Sequence, residues 1–153
     1  TVAAKADRIE ISPDGLGHVL DFKTGGAPSK KMVQSGFSPQ LTLTAAILAR
    51  GGFADIGRAE PGELTYLQVT GRRPPGREEV RATPEGDNDK VLNSRDAADK
   101  ALEGMVQLVE RYADPARGYT SRVAPQFVKL YASDYDHLAR VFEWSTSGEE
   151  GEE

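Results

Sequence analysis

Asp7 and Asp21 lie on opposite sides of a chain reversal, and Lys23 follows Asp21 by two positions. The reversal is Ser12-Pro13-Asp14-Gly15, between the partly apolar stretches Thr1–Ile11 and Gly17–Lys23. Pro fixes φ, Asp bonds back to the chain and Gly takes positive φ, so this tetrapeptide predicts a β-hairpin. With the turn centred on Asp14, Asp7 falls opposite Asp21, and directly opposed residues share a face with Cβ atoms about 5 Å apart. Lys23 shares that face through the two-residue period of a strand. Facing carboxylates repel in a half-buried sheet. A divalent cation between them removes the conflict, and hard cations such as Mg²⁺ prefer oxygen ligands. The adjacent ammonium then stands where it can orient or activate a water, or stabilise charge on a phosphate. The bland alternative is a solvated surface hairpin, and Asp-x-Lys alone does not separate the two.

Elements downstream must hold that face in place. Gly25 to Lys31 reads as a loop, and a helix follows with Ser38 as N-cap and Pro39 in its first turn. Leu41, Ala45 and Leu48 form the buried stripe of that helix, and Gly51-Gly52 stops it. Glu63–Thr70 has the composition of a strand. Residues 72–90, with Pro74, Pro75, Gly76, Pro84 and Gly86, read as a long polar loop. Ser94–Ala113 is the clearest helix, with Ala98, Ala101, Leu102, Met105, Leu108, Val109 and Tyr112 at helical spacing, ended by Asp114-Pro115. Gly118–Tyr131 reads as extended and Asp134–Trp144 as a short helix. No internal repeat interrupts the order, so the elements make an α/β or α+β domain on a small sheet.

Composition bounds the chemistry. The 153 residues make one domain, with 38% hydrophobic and 28% charged residues, the balance of a globular chain. No apolar run approaches the ~18–20 residues of a membrane span. Zero cysteines exclude disulfides, thiolate zinc sites, iron–sulfur ligation and a cysteine nucleophile. The net charge of −5 argues against a generic nucleic-acid binder but leaves room for a local site. The charge is uneven: residues 1–81 carry 11 Lys+Arg against 9 Asp+Glu, and residues 82–153 carry 8 against 15. The Gly-Glu end, 146–153, reads as a disordered acidic tail. A start at Thr1 without an initiator Met marks the chain as a piece of something longer.

Asp-Phe-Lys-Thr-Gly after Val-Leu, with Ala-Asp-Arg-Ile upstream and Gln40 opening a helix downstream, is far more specific than the bare tripeptide. In these residues the chain resembles the RecB-type nuclease domains of the PD-(D/E)XK superfamily. Ser38-Pro39-Gln40-Leu41 and the run from Asp134 to Val141 are similar, more closely, to the C-terminal part of AddB-type subunits of helicase–nucleases that process DNA double-strand breaks. The resemblance implies a restriction-endonuclease-like α/β core over 1–145, a small mixed sheet flanked by helices, truncated at its N-terminus. It implies Asp7 and Asp21 as metal-binding acids, the Phe22 carbonyl as a further ligand, Lys23 as the catalytic lysine and Gln40 as a site or DNA contact. It also implies Mg²⁺ (or Mn²⁺) as cofactor, DNA as substrate, a helicase partner subunit of AddA type, no membrane or small-molecule cofactor, and a bacterial cytoplasm. A nuclease-fold scaffold without activity is the competing class. Three departures stand: the family's upstream helix, with a further His or Glu ligand, would precede Thr1. The tyrosine often found four residues after the glutamine is Thr44. The cysteines of an iron–sulfur cluster are missing.

Other polar residues read more simply. His18 falls opposite Glu10, away from Asp21, as a cross-strand polar pair, and His137 reads as a helix-capping or packing residue. Lys30, Lys31, Arg72, Arg73, Arg77 and Arg81 read as loop cations, either solvated or forming a phosphate-contacting rim. Val141, Phe142 and Trp144 read as a core anchor or a docked face, and Gly25-Gly26 as a strand exit.

Overall fold

The turn that centres the hairpin forms as its residues dictate. The Gly15 N–H donates to the Ser12 carbonyl at 2.9 Å, Gly15 takes φ +83°, and the Ser12 hydroxyl donates to the Asp14 carboxylate. The computed structural model describes residues 1–119, 124–127 and 134–141. Strand β1 is Arg8–Ile11 and β2 is Leu16–Lys23, paired antiparallel with Arg8 opposite Leu20 and Glu10 opposite His18. Residues 1–7 precede β1 without strand structure, so the first strand is shorter than the stretch Thr1–Ile11.

A crossover then leads through two helices. Helix α1, Lys30–Gln34, occupies the end of the stretch read as a loop, because Ser29 caps it by accepting from the Met32 N–H and Val33 supplies a buried anchor. Helix α2 is Gln40–Leu48, with Pro39 rather than Ser38 at the N-cap and no side-chain cap bond. Leu41, Ala45 and Leu48 are buried as the spacing predicts, but so are Thr42, Thr44 and Ala46. The helix is embedded on more than one side.

Strand β3, Glu60–Val69, pairs parallel with β2, and β4, Gly76–Thr83, pairs antiparallel with β3. Strand β4 corrects the reading of 72–90 as loop. Its charged residues gain in register what propensity denies them: Glu79 lies opposite Tyr66 and Arg77 opposite Gln68, with ion pairs along the strand. A two-residue β5, Leu92–Asn93, adds to β4 in parallel and completes the order β1-β2-β3-β4-β5. The result is a mixed sheet flanked by helices.

The Asn93 side chain accepts from the Arg95 and Asp96 N–H groups and starts helix α3, Ser94–Ala113, at the predicted limits. Val19, Leu41, Leu48, Leu64, Tyr66, Leu92 and Ala98 belong to one core cluster, whereas Leu108 and Val109 of α3 are exposed. Residues 1–110 form one compact unit and 111–153 a second. The second holds the stacked rings of Tyr112 and Tyr119, a 3₁₀ turn at Pro125–Phe127 and helix α4, Asp134–Leu138. The expected extended run to Tyr131, the end of the last helix, Phe142, Trp144 and the acidic tail fall wholly or partly outside the described residues. Among the described residues, no helix is long and apolar enough to cross a membrane.

Gly76 is where β4 comes closest to β3: an added Cβ would lie 2.1 Å from the Gln68 carbonyl oxygen. Backbone cannot yield there as a flexible side chain would. Gly76→Ala is expected to lower stability by about 1–3 kcal/mol, measured by chemical denaturation, while Gly104→Ala, at open space within α3, does not.

Candidate active site

Strand β2 ends in alternating burial that delivers one carboxylate to the interior. Asp21 is 3% exposed and sits opposite Tyr66 in the parallel pair, while Phe22 points the other way and is half exposed. A buried carboxylate requires compensation. Lys23, on the same face, forms an ion pair with Asp21 Oδ2. Its Nζ also donates to Gln40 Oε1 at 3.0 Å, and Gln40 Nε2 donates to Asp21 Oδ1. The three side chains thus close a ring. Asp21 Oδ2 takes part only through charge, with no directed hydrogen bond of its own. Gln40 reaches the ring because it opens α2, whose first turn is aimed at the end of β2.

Asp7 stands one step beyond Arg8 in the hairpin register, which brings it opposite Asp21. Its Oδ2 accepts the Phe22 N–H at 3.1 Å, so its carboxylate lies against the peptide that joins Asp21 to Phe22. Asp7 is exposed and Asp21 buried, an asymmetric pair. Asp7, Asp21, Lys23 and Gln40, singled out from separate parts of the sequence, therefore meet at one end of the sheet. The two carboxylates suit a hard divalent cation, and the buried Oδ2 without a hydrogen bond is an acceptor such an ion would satisfy. Among the described residues, no group of three or more His, Asp or Glu is placed to hold a metal.

The neighbouring strands add residues that no single-strand pattern reveals. The Tyr66 ring is fully buried beside Asp21, with Lys23 Nζ at 5.5 Å and Arg81 Cζ at 5.9 Å from its centroid. Burial pushes the Tyr66 hydroxyl up to about 12, with the Asp21 charge adding to the rise and Arg81 opposing it. Arg81 arrives through a β-bulge. Leu64 pairs with Ala82 and Thr65 with Val80, so Arg81 is the extra residue, re-aimed toward Tyr66. Its Nε donates to the Pro28 carbonyl at 2.7 Å and its Nη1 to Glu79 Oε2 at 2.9 Å. Glu79 also pairs with Arg77 at 2.7 Å. In the sequence, alternation of Leu64, Tyr66 and Gln68 is visible, but their pairing partners are not.

The six cations read as loop residues divide. Arg77 and Arg81 belong to β4, and Lys30 and Lys31 lie in α1, with Lys30 Nζ bonded to the Asn88 and Asp89 carbonyls. Lys31, Arg72 and Arg73 are exposed. His18 does lie opposite Glu10, but its Nδ1 accepts the Glu63 N–H at 3.0 Å, so it serves the irregular β2–β3 pairing. His137 is exposed in α4.

With this geometry in hand, comparison with known proteins is informative. The profile of the PD-(D/E)XK nuclease superfamily matches residues 1–125. An uncharacterized protein of Rickettsia bellii is 30% identical over 121 residues, which is 70% of this chain and 13% of that protein. Uncharacterized proteins of Rickettsia typhi and Rickettsia conorii are 46% and 48% identical over 66 and 48 residues, 42% and 31% of this chain. The matched segments cover only 8% and 6% of those two proteins, so the chain corresponds to a small part of its curated relatives. None of these names carries a closer likeness to AddB. No solved structure matches.

Tyr66 offers a pH signature for the site. With its folded pKa raised to about 12, the folded state holds the proton more tightly than the unfolded chain, whose tyrosines ionise near 10. The contribution of Tyr66 to stability is therefore complete below pH ~10 and is lost as pH rises from ~10 toward 12. Denaturation at pH 9 and pH 11.5 should show this loss in the wild-type chain and a smaller one in Tyr66→Phe. An equal loss in both would place the titration elsewhere.

Proposed function

The chain belongs to the PD-(D/E)XK nuclease superfamily, and from that premise we propose that it is a Mg²⁺-dependent deoxyribonuclease module. The observation that carries this reading is the buried Asp21 carboxylate, closed in a ring with Lys23 and Gln40 and faced by Asp7 across the hairpin. A solvated strand has no need of a lysine and a glutamine folded onto one carboxylate.

In this reading Asp7 and Asp21, with the Phe22 carbonyl, hold the divalent cation. When bound, the cation supplies Lewis acidity, lowering the pKa of a water and offsetting phosphate charge. The chain's own residues do the rest. Asp21, fixed by the Gln40 amide, presents Oδ2 as a preorganised ligand. Lys23 exchanges the carboxylate for the phosphate, where its ammonium stabilises the charge that develops as the phosphodiester is attacked. Gln40 keeps hold of either partner, since its Oε1 already accepts from Lys23 and its Nε2 donates to Asp21. Sequence specificity is not expected, because among the described residues no helix or ribbon resembles a base-reading element. At a finer level the module acts as an exonuclease of helicase–nuclease type in double-strand-break repair, beside a helicase subunit in a bacterial cytoplasm. Support for that level is the likeness of Ser38–Leu41 and of residues 134–141 to AddB-type subunits.

Two measurements test the proposal. Lys23→Ala should lower single-turnover cleavage of linear DNA at least on the order of 10²–10³-fold, with kcat and kcat/KM falling together and folding retained. Cleavage at the wild-type rate would instead favour an inert scaffold. Titration calorimetry with Mn²⁺ should show weak binding that Asp21→Ala abolishes. Unchanged binding would mean that the metal sits elsewhere.

A further inference from the structure

Arg77 stands in line with Lys23. Lys23 pairs with Gln68 across β2–β3, and Gln68 pairs with Arg77 across β3–β4. Register partners share a face, so the two cations sit on one side of the sheet, two strand spacings or about 10 Å apart. Arg77 is fixed at its root and open at its tip. Its Nε donates to Gln68 Oε1 at 3.0 Å and lies 2.7 Å from Glu79 Oε1. Among the described residues no hydrogen bond engages either Nη, and the side chain is 66% exposed. Gln68 in turn donates to the Gly25 carbonyl at 2.8 Å, tying this arginine to the loop that leaves β2. Gly25 and Gly26 border open space, so the loop beside this row presents bare backbone on either side of the Gln68 bond. Glu79 is shared between Arg77 and Arg81, so it neutralises only one of them.

We propose that Arg77 forms a second phosphate subsite, which takes the backbone of a DNA strand one or two nucleotides from the phosphate held at Asp21 and Lys23. The inference rests on the nuclease reading above and extends it to substrate class. A planar guanidinium held at Nε presents two Nη groups in the geometry that grips a phosphate bidentately. A spacing of about 10 Å exceeds a single phosphodiester step, so two different phosphates of one strand occupy the two positions. A mononucleotide cannot reach both positions. The strand therefore crosses the sheet from β2 toward β4, over the glycines, and the subsite selects polymer over short fragments.

The test compares Lys23→Ala with Lys23→Ala/Arg77→Gln in the full chain with Mg²⁺, the first substitution suppressing cleavage. Fluorescence anisotropy reads binding of a single-stranded DNA of about twelve nucleotides and of a dinucleotide, over a range of salt. Arg77→Gln should weaken the longer strand about tenfold or more, flatten the slope of log K against log salt by about 0.7, and leave the dinucleotide unaffected. Arg77→Lys, which keeps the charge and loses the fork, should restore the slope without the full affinity. Lys100→Gln, the same charge loss on exposed α3, sets the baseline. Weakening by Arg77→Gln no greater than by Lys100→Gln, or equal for both DNA lengths, overturns the subsite. If Lys23→Ala has meanwhile lost cleavage, the nuclease reading stands. A wild-type chain that neither cuts nor binds DNA overturns both.

Discussion

A carboxylate taken out of water must be given a cation or well-aimed donors, and Asp21 receives both from two side chains of different elements. That requirement orders the rest of the unit formed by residues 1–110. The lysine has to lie two residues on, so β2 has to remain regular through Lys23. The glutamine has to open a helix that points at the strand end, so the chain must turn immediately before it, and Pro39 there has no N–H to leave unsatisfied. Tyr66 has to cover the carboxylate from β3, which demands the parallel pair and its crossover. Even the bulge on β4 belongs to this set, because it turns Arg81 onto the ring that covers Asp21.

What could be read from the sequence followed from local chemistry. Pro-Asp-Gly fixes a turn wherever it sits, and its centre fixes the hairpin register, so the opposition of Asp7 and Asp21 was legible from a dozen residues. The limits of α3 were equally local, read from its apolar residues at helical spacing and from Asp114-Pro115, and the Asn93 cap found in the structure agrees with them. Strand β4 was not legible. Its Arg-Glu-Glu-Val-Arg run has poor strand propensity and becomes a strand only beside β3, where Glu79 pairs with the arginines on either side of it. Helix α1 was missed for a related reason: five residues are too few for a periodic signal, and Ser29 caps a helix that a glycine-rich approach disguises.

Tyr66 marks the limit of single-strand reasoning in another way. Its alternation with Leu64 and Gln68 names a face but not the neighbour, and parallel partners are joined by long connections that carry no register information. The same holds for the row that joins Lys23, Gln68 and Arg77. Three strands must be aligned before a lysine and an arginine 54 positions apart become neighbours in function.

The unequal lengths of chain behind the two pairings of β2 have a kinetic consequence. The β1–β2 hairpin closes a short loop through one tight turn, whereas β2 and β3 meet only after the whole stretch between Lys23 and Glu60 has been drawn in. Closure entropy rises with loop length, and non-local pairing slows folding. Asp7 and Asp21 thus come together first, in water, where their repulsion is weak. Desolvation arrives later, with β3 and α2, in the same step that delivers Tyr66 and Gln40. The electrostatic penalty of the site is deferred to the last stage of assembly, when the groups that offset it are already within reach.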